Sequence, residues 1–190
     1  MVILYLGIIF FGGSHLFSVL FPGVRNRLKA WWGEQRYKIV YSLASVVGLV
    51  LMFWGYAQTR DNGQMFYAPL TGAKHMTMLL VLLGIICISS FHGKGYIKKW
   101  LQNPFSIGIS LWSIGHLLAN GKTPVVLIYL TFLIVSVLDI AANMMRGNRA
   151  VFEPKVKSDV IAVVVGLVIY ALLLLVFHPY VIGVRVAGFH

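Results

Sequence analysis

Residues 105–119 read FSIGISLWSIGHLLA. The stretch holds no charged residue, yet it places one histidine, His116, among apolar and small side chains. Its reading decides the fold, because the uncharged run reads as a helix in hydrocarbon, where an ionisable imidazole is costly and marks a functional position. Working outward, five more apolar runs of the same kind appear. With this one they are Val2–Phe21, Ile39–Ala57, His75–Phe91, Phe105–Ala119, Pro124–Ala142 and Val160–Ile182. A spanning helix needs about 20 residues, within a range of 17–25, and five of the six meet that or nearly do. The fourth is short, and Gly108 and Gly115 interrupt it; small residues there permit close approach of a neighbouring helix.

Composition agrees with this reading. Hydrophobic residues make up 59% of the 190-residue chain, against about 45–50% in an ordinary soluble domain. Sixteen basic residues face five acidic ones, for a net charge of +11. The basic residues do not form one stripe, so the excess does not read as a nucleic-acid surface. They lie between the apolar runs, where cytoplasmic loops collect Lys and Arg. Arg25, Arg27, Lys29, Arg36 and Lys38 lie in loop one, Lys94, Lys98 and Lys99 in loop three, and Arg146, Arg149, Lys155 and Lys157 in loop five. The alternate side holds only Arg60, Lys74, Lys122 and Arg185. Twelve against four is the alternation six spans produce. By the positive-inside rule, both termini then lie outside the cytoplasm. The first run lacks a charged leader region and a small-residue cleavage site, so it reads as a helix rather than a signal peptide.

The expected fold is therefore an all-α, polytopic membrane bundle of about six transmembrane helices, forming a single domain over residues 1–190 without repeats or low-complexity stretches. Loop one, RNRLKAWWGEQRYK, pairs cations with Trp31 and Trp32. That composition suits a segment lying among anionic headgroups; a solvated loop with aromatic anchors reads equally well. The single cysteine, Cys87, sits in an apolar run and reads as a small buried hydrophobe.

Few residues could carry chemistry. Asp139 is the one acid inside a span, so paired carboxylates are missing from the membrane, as are glycine-rich phosphate loops and HExxH. Ser14 and His15 are neighbours, but no carboxylate is placed to orient the imidazole as a triad requires. The histidines remain. His75, His92 and His178 lie near the ends of their runs and read as satisfied polar groups; His190 belongs to the tail. His15 and His116 lie deeper, roughly 9 Å and 17 Å from the cytoplasmic ends of their helices at 1.5 Å per residue. A buried metal or haem iron satisfies such nitrogens, and bundles commonly hold cofactors between facing helices. Gly12, Gly13 and Ser14 before His15, and Gly115 before His116, leave room for a flat macrocycle or for plain helix packing.

Four blocks carry a resemblance: GGSHLF, GEQRYKIVYSLAS, NPFSIGISLWSIGHLLANG and FHPYVIGV. In this order they resemble the NnrU family of bacterial membrane proteins, and more distantly the plant zeta-carotene isomerase of the same superfamily. The resemblance implies haem b, because the isomerase ligates haem through histidines whose motifs are similar to those around His15 and His116. It implies these two as axial ligands. The family name implies a link to nitrite and nitric oxide metabolism and a bacterial inner membrane. Two positions depart from the pattern. Asn103-Pro104 stands where many relatives have His-Pro, and Ser113 stands where the isomerase has cysteine, so ligand exchange through a thiolate has no thiol here.

Three functions follow as expectations. The first is a haem b membrane protein that relays electrons or responds to a gas, with a redox or small-molecule partner. Bis-histidine ligation leaves no open iron site and favours electron transfer. The second is a haem-dependent isomerase of a polyene or other isoprenoid. The third is a cofactor-free assembly protein in which the histidines hydrogen-bond between helices.

Overall fold

The structure is a computed structural model and describes residues 1–184 and 186. Arg185 and His190 lie outside the described residues. Each of the six apolar runs is helical: α1 (Val2–Leu20), α3 (Glu34–Thr59), α4 (Lys74–Ser89), α6 (Pro104–Ala119), α7 (Thr123–Met145) and α8 (Val156–Leu172). Two short helices stand between them, α2 (Pro22–Trp32) in loop one and α5 (Tyr96–Leu101) in loop three. Proline opens α2, α6 and α7 within the first turn, where its fixed φ fits and its missing N–H is not needed. α8 runs on as a π-helix, Leu173–Ile182, with Pro179 inside it.

Four of these helices are long and apolar enough to cross a membrane: α1, α3, α7, and α8 with its π-helical extension. α4 and α6 have 16 residues each, about 24 Å at 1.5 Å per residue. The chain is a helical membrane bundle. Its neighbours run α3–α1–α7–α6–α4–α8. Loops one, three and five gather at one end. There Arg146 Nη2 donates to the Val19 carbonyl at 2.7 Å, Arg25 Nη1 donates to the Ser18 carbonyl at 3.3 Å, and Lys155 N–H donates to the Lys94 carbonyl at 2.7 Å. Both arginines meet the last carbonyls of α1, the negative end of its dipole. Loops two and four meet at the other end, where Phe66 N–H donates to Gly121 O at 2.8 Å and Thr123 N–H to Gln64 O at 2.9 Å. The charge alternation read from sequence is thus a sorting of loops between the two ends of the bundle.

Glycines decide how closely the helices approach. A Cβ on Gly48 would overlap the backbone nitrogen of Phe11, and one on Gly55 that of Leu4. The two glycines are seven residues apart, as are Leu4 and Phe11, so an antiparallel pair meets twice in one register. Leu4 (0% exposed), Met52 (2%) and Phe11 (7%) form the core there. In hydrocarbon, contact of this kind holds helices together because lipid tails are as apolar as the side chains they would replace. Elsewhere large apolar side chains face outward along the spans, as a lipid solvent allows.

The structure extends the sequence reading at two points. Loop one is helical up to Trp32, with Trp31 81% exposed, and after Gly33 its remainder forms the start of α3. α5 had no signal beyond YIKKWL and depends on a distant cap. Asp159 of α8 accepts from Tyr96 N–H at 2.7 Å and Ile97 N–H at 3.1 Å, satisfying two of the orphan donors at a helix start.

Candidate functional site

The site is built around His116, on the last turn of α6. Its Nδ1 lies 2.8 Å from the Trp112 carbonyl. A carbonyl can only accept, so Nδ1 carries the proton and Nε2 keeps its lone pair. Tyr129 of α7 stacks on the ring, with centroids 4.3 Å apart and planes at 11°, and Trp112 meets it edge-on at 5.1 Å. The ring is therefore fixed on one face by tyrosine and at one nitrogen by backbone.

His15 and His178 repeat the arrangement. His15 Nδ1 lies 2.9 Å from Phe11 O, four residues back. His178 Nδ1 lies 2.7 Å from Leu173 O, five residues back, as the π-helical turn dictates. In each case Nε2 is the nitrogen left for a partner. Metal-bound imidazoles characteristically donate their other N–H to a backbone carbonyl or carboxylate, which fixes the tautomer.

The structure does not bring His15 and His116 together. A chain of ring contacts separates them: His15–Phe11 at 4.3 Å, Phe11–Phe132 at 4.9 Å, Phe132–Trp112 at 5.4 Å and Trp112–His116 at 5.1 Å. α1 and α7 run in the same direction, and Gly12 and Phe11 lie beside Thr131 and Phe132. That register sets His15 abreast of about residue 135, while His116 stacks on Tyr129. The two imidazoles are offset by about 9 Å along the bundle at 1.5 Å per residue. His116 instead faces His178, with ring centroids 6.1 Å apart and planes at 19°. His75 and His92 are exposed beyond or at the ends of the bundle.

The family described as NnrU protein matches residues 3–186. The chain belongs to the NnrU family. No curated protein matches it, and no solved structure matches it.

In this NnrU chain the polar residues of α6 lie on one stripe toward α7. Ser106 Oγ donates to Asp139 Oδ2 at 2.6 Å, and Asn143 Nδ2 donates to the same oxygen at 3.2 Å. Ser110 and Ser136 share a hydrogen bond of 2.7 Å. Ser113, one turn before His116, is fully buried and its Oγ has no partner. The acid singled out from sequence thus has a polar seam around it that sequence reading missed. A Ser-x3-Ser-x2-Ser spacing on one helix face was the available signal. Asp139 and the stripe lie toward the basic end, with His116 at the other.

At that other end loop two covers α6. Tyr67 donates its hydroxyl to the Leu117 carbonyl and, at 3.2 Å, to Asn120 O. Partial burial pushes the pKa of this hydroxyl up, which keeps it a donor. Tyr67, Leu70, Ile114, Leu117 and Leu118 line an apolar groove of about 310 Å³. At about 100° per residue, Ile114 and Leu118 lie about 160° around α6 from His116, and Leu117 about 100°. Among the described residues, no group of three or more His, Cys, Asp or Glu side chains is gathered at one point.

Proposed function

We propose that this NnrU-family membrane protein binds haem b with His116 as an axial ligand, and serves as a redox or gas-responsive protein in nitrite and nitric oxide metabolism. The observation that carries the reading is the set of intramembrane imidazoles whose Nδ1 is committed to backbone and whose Nε2 has no hydrogen-bond partner among the described residues. Such donors fit haem iron, which imidazole nitrogens hold in many haem proteins. The family resemblance favours His15 as the opposite ligand. Haem held between two imidazoles supplies one-electron transfer, and gas binding only after one ligand leaves. The isomerase reading gains little from the apolar groove, because it opens on the far face of α6 from His116.

The experiment is a visible spectrum of the protein purified in detergent from cells supplied with a haem precursor. A Soret band with sharp, split reduced α and β bands is expected. Its absence, together with failure to take up added hemin, favours the assembly role, in which interhelical hydrogen bonds contribute about 0.6 kcal/mol each on average.

The same proposal places the protein in the bacterial inner membrane with the basic end cytoplasmic and both termini periplasmic. α2, with Arg25, Arg27 and Lys29 beside Trp31 and Trp32, then lies among anionic headgroups, each cation contributing about 1 kcal/mol. Reporter fusions after Lys29 and Lys98 should score as cytoplasmic and one after Gln64 as periplasmic. A periplasmic score at Lys29 would overturn this orientation.

A further inference from the structure

We infer that His178, carried on the π-helical end of the last span, is the imidazole that shares one iron with His116; the inference rests on the haem reading above and assigns its second ligand. Three observations support it. The first is separation. Two imidazoles ligating one metal from opposite sides, each nitrogen about 2.0 Å away, have ring centres about 6 Å apart. His116 and His178 are 6.1 Å apart with nearly parallel planes. Direct stacking brings rings closer, as Tyr129 does on His116 at 4.3 Å. The second is protonation geometry. Both rings hold a backbone carbonyl through Nδ1, so the nitrogen that remains on each is the ligating kind.

The third observation is the backbone that carries His178. α8 packs on α4 rather than on α6, so the imidazole reaches α6 across an interval the helices themselves do not close. It does so from a ten-residue π-helix containing Pro179. A π turn is rare and is found preferentially at functional sites. Its wider turn advances each side chain by less than the α-helical 100° or so. The His178 direction therefore differs from the one an unbroken α8 would give. The carbonyl that holds its Nδ1 is the one five residues back. Pro179 has no N–H to donate to the helix. The far end of the segment is fixed as well: Arg60 Nη1 donates to Ile182 O at 2.8 Å, and Val184 N–H donates to His178 O at 3.0 Å.

The test compares His178→Ala, His178→Met and His15→Ala with the unaltered protein, each purified in detergent and titrated with hemin. The readouts are visible and electron paramagnetic resonance spectra. The unaltered protein is expected to be low-spin. His178→Ala should turn high-spin, and added imidazole should restore the low-spin bands, which loss of folding would not allow. His178→Met should stay folded and show the spectrum of a His/Met iron. His15→Ala should stay low-spin. If both His178 variants keep an unaltered bis-histidine spectrum while His15→Ala turns high-spin, His178 is not the ligand and the haem reading stands with His15. If the unaltered protein takes up no hemin, the haem reading itself fails and this assignment with it.

Discussion

Gly108→Val should leave the chain without a stable bundle. At Gly84 and Gly108 the backbones of α4 and α6 touch. A Cβ on Gly84 would lie 2.7 Å from the Gly108 carbonyl, and one on Gly108 would meet the Gly84 carbonyl and Ile88. Overpacking that side chains can absorb costs about 1–3 kcal/mol. Here the obstacle is main chain, which has no rotamer to change. α6 cannot retreat either, because its other side is joined to α7 through Ser106–Asp139 and Ser110–Ser136. The helices must separate, and the loss should exceed 3 kcal/mol or so, a large part of the roughly 5–15 kcal/mol that folded proteins possess. Thermal unfolding in detergent, with size-exclusion elution as a second readout, checks this. Gly13→Ala is the control, since a Cβ there meets nothing within 4 Å, and alanine favours a helix over glycine by about 1 kcal/mol. An unchanged melting curve for Gly108→Val would show that α4 and α6 do not meet backbone to backbone at Gly84 and Gly108.

That contact also shows what could and could not be read from the residues. Uncharged runs and alternating loop charge are local properties, so six helices, the loop sorting and the single bundle were legible. The glycines at 108 and 115 announced a close neighbour but not which one, because helix pairing depends on chain segments far apart in sequence. The same limit applied to His178. It lies near the end of its run, where depth within the helix gives an imidazole no distinction. Depth carries no information about which helices face each other or about a π-helical turn. The Phe177-His178-Pro179 sequence held the signal, since proline inside an apolar helix frees backbone groups that the local geometry must absorb. His15 stands out in the sequence by its depth within its run and by family motif. The α1–α7 register that offsets it from His116 is set by Phe11, Gly12, Thr131 and Phe132. None of these advertises its partner in the sequence.

His116→Ala should remove the low-spin haem spectrum while sparing the fold. Both ligand assignments, His15 with His116 or His178 with His116, share this residue, so the result tests the haem reading without depending on its partner. The expected separation of cofactor loss from unfolding follows from what the imidazole touches. Its Nδ1 bond goes to the Trp112 carbonyl, an acceptor within the α6 span that helical N–H groups continue to serve after truncation. No buried charge is left behind. The stacking lost against Tyr129 is worth about 0.5–1.5 kcal/mol beyond area burial. The Ser106–Asp139 and Ser110–Ser136 bonds that tie α6 to α7 lie two to three turns away and should persist. Thermal unfolding of the apoprotein should therefore move by only a few degrees, about what 1 kcal/mol shifts in a protein of this size. On the proposed haem reading the iron, by contrast, would lose a ligand outright, and the split α and β bands should vanish, with haem either released or held high-spin by the remaining imidazole. A His116→Ala protein that keeps the bands of the unaltered chain would remove His116 from the site and leave its tyrosine-stacked imidazole a packing group. If the bands and the folded bundle are lost together, the measurement of apoprotein melting decides between a collapsed helix and a missing ligand. A melt close to that of the unaltered apoprotein assigns the loss to the iron.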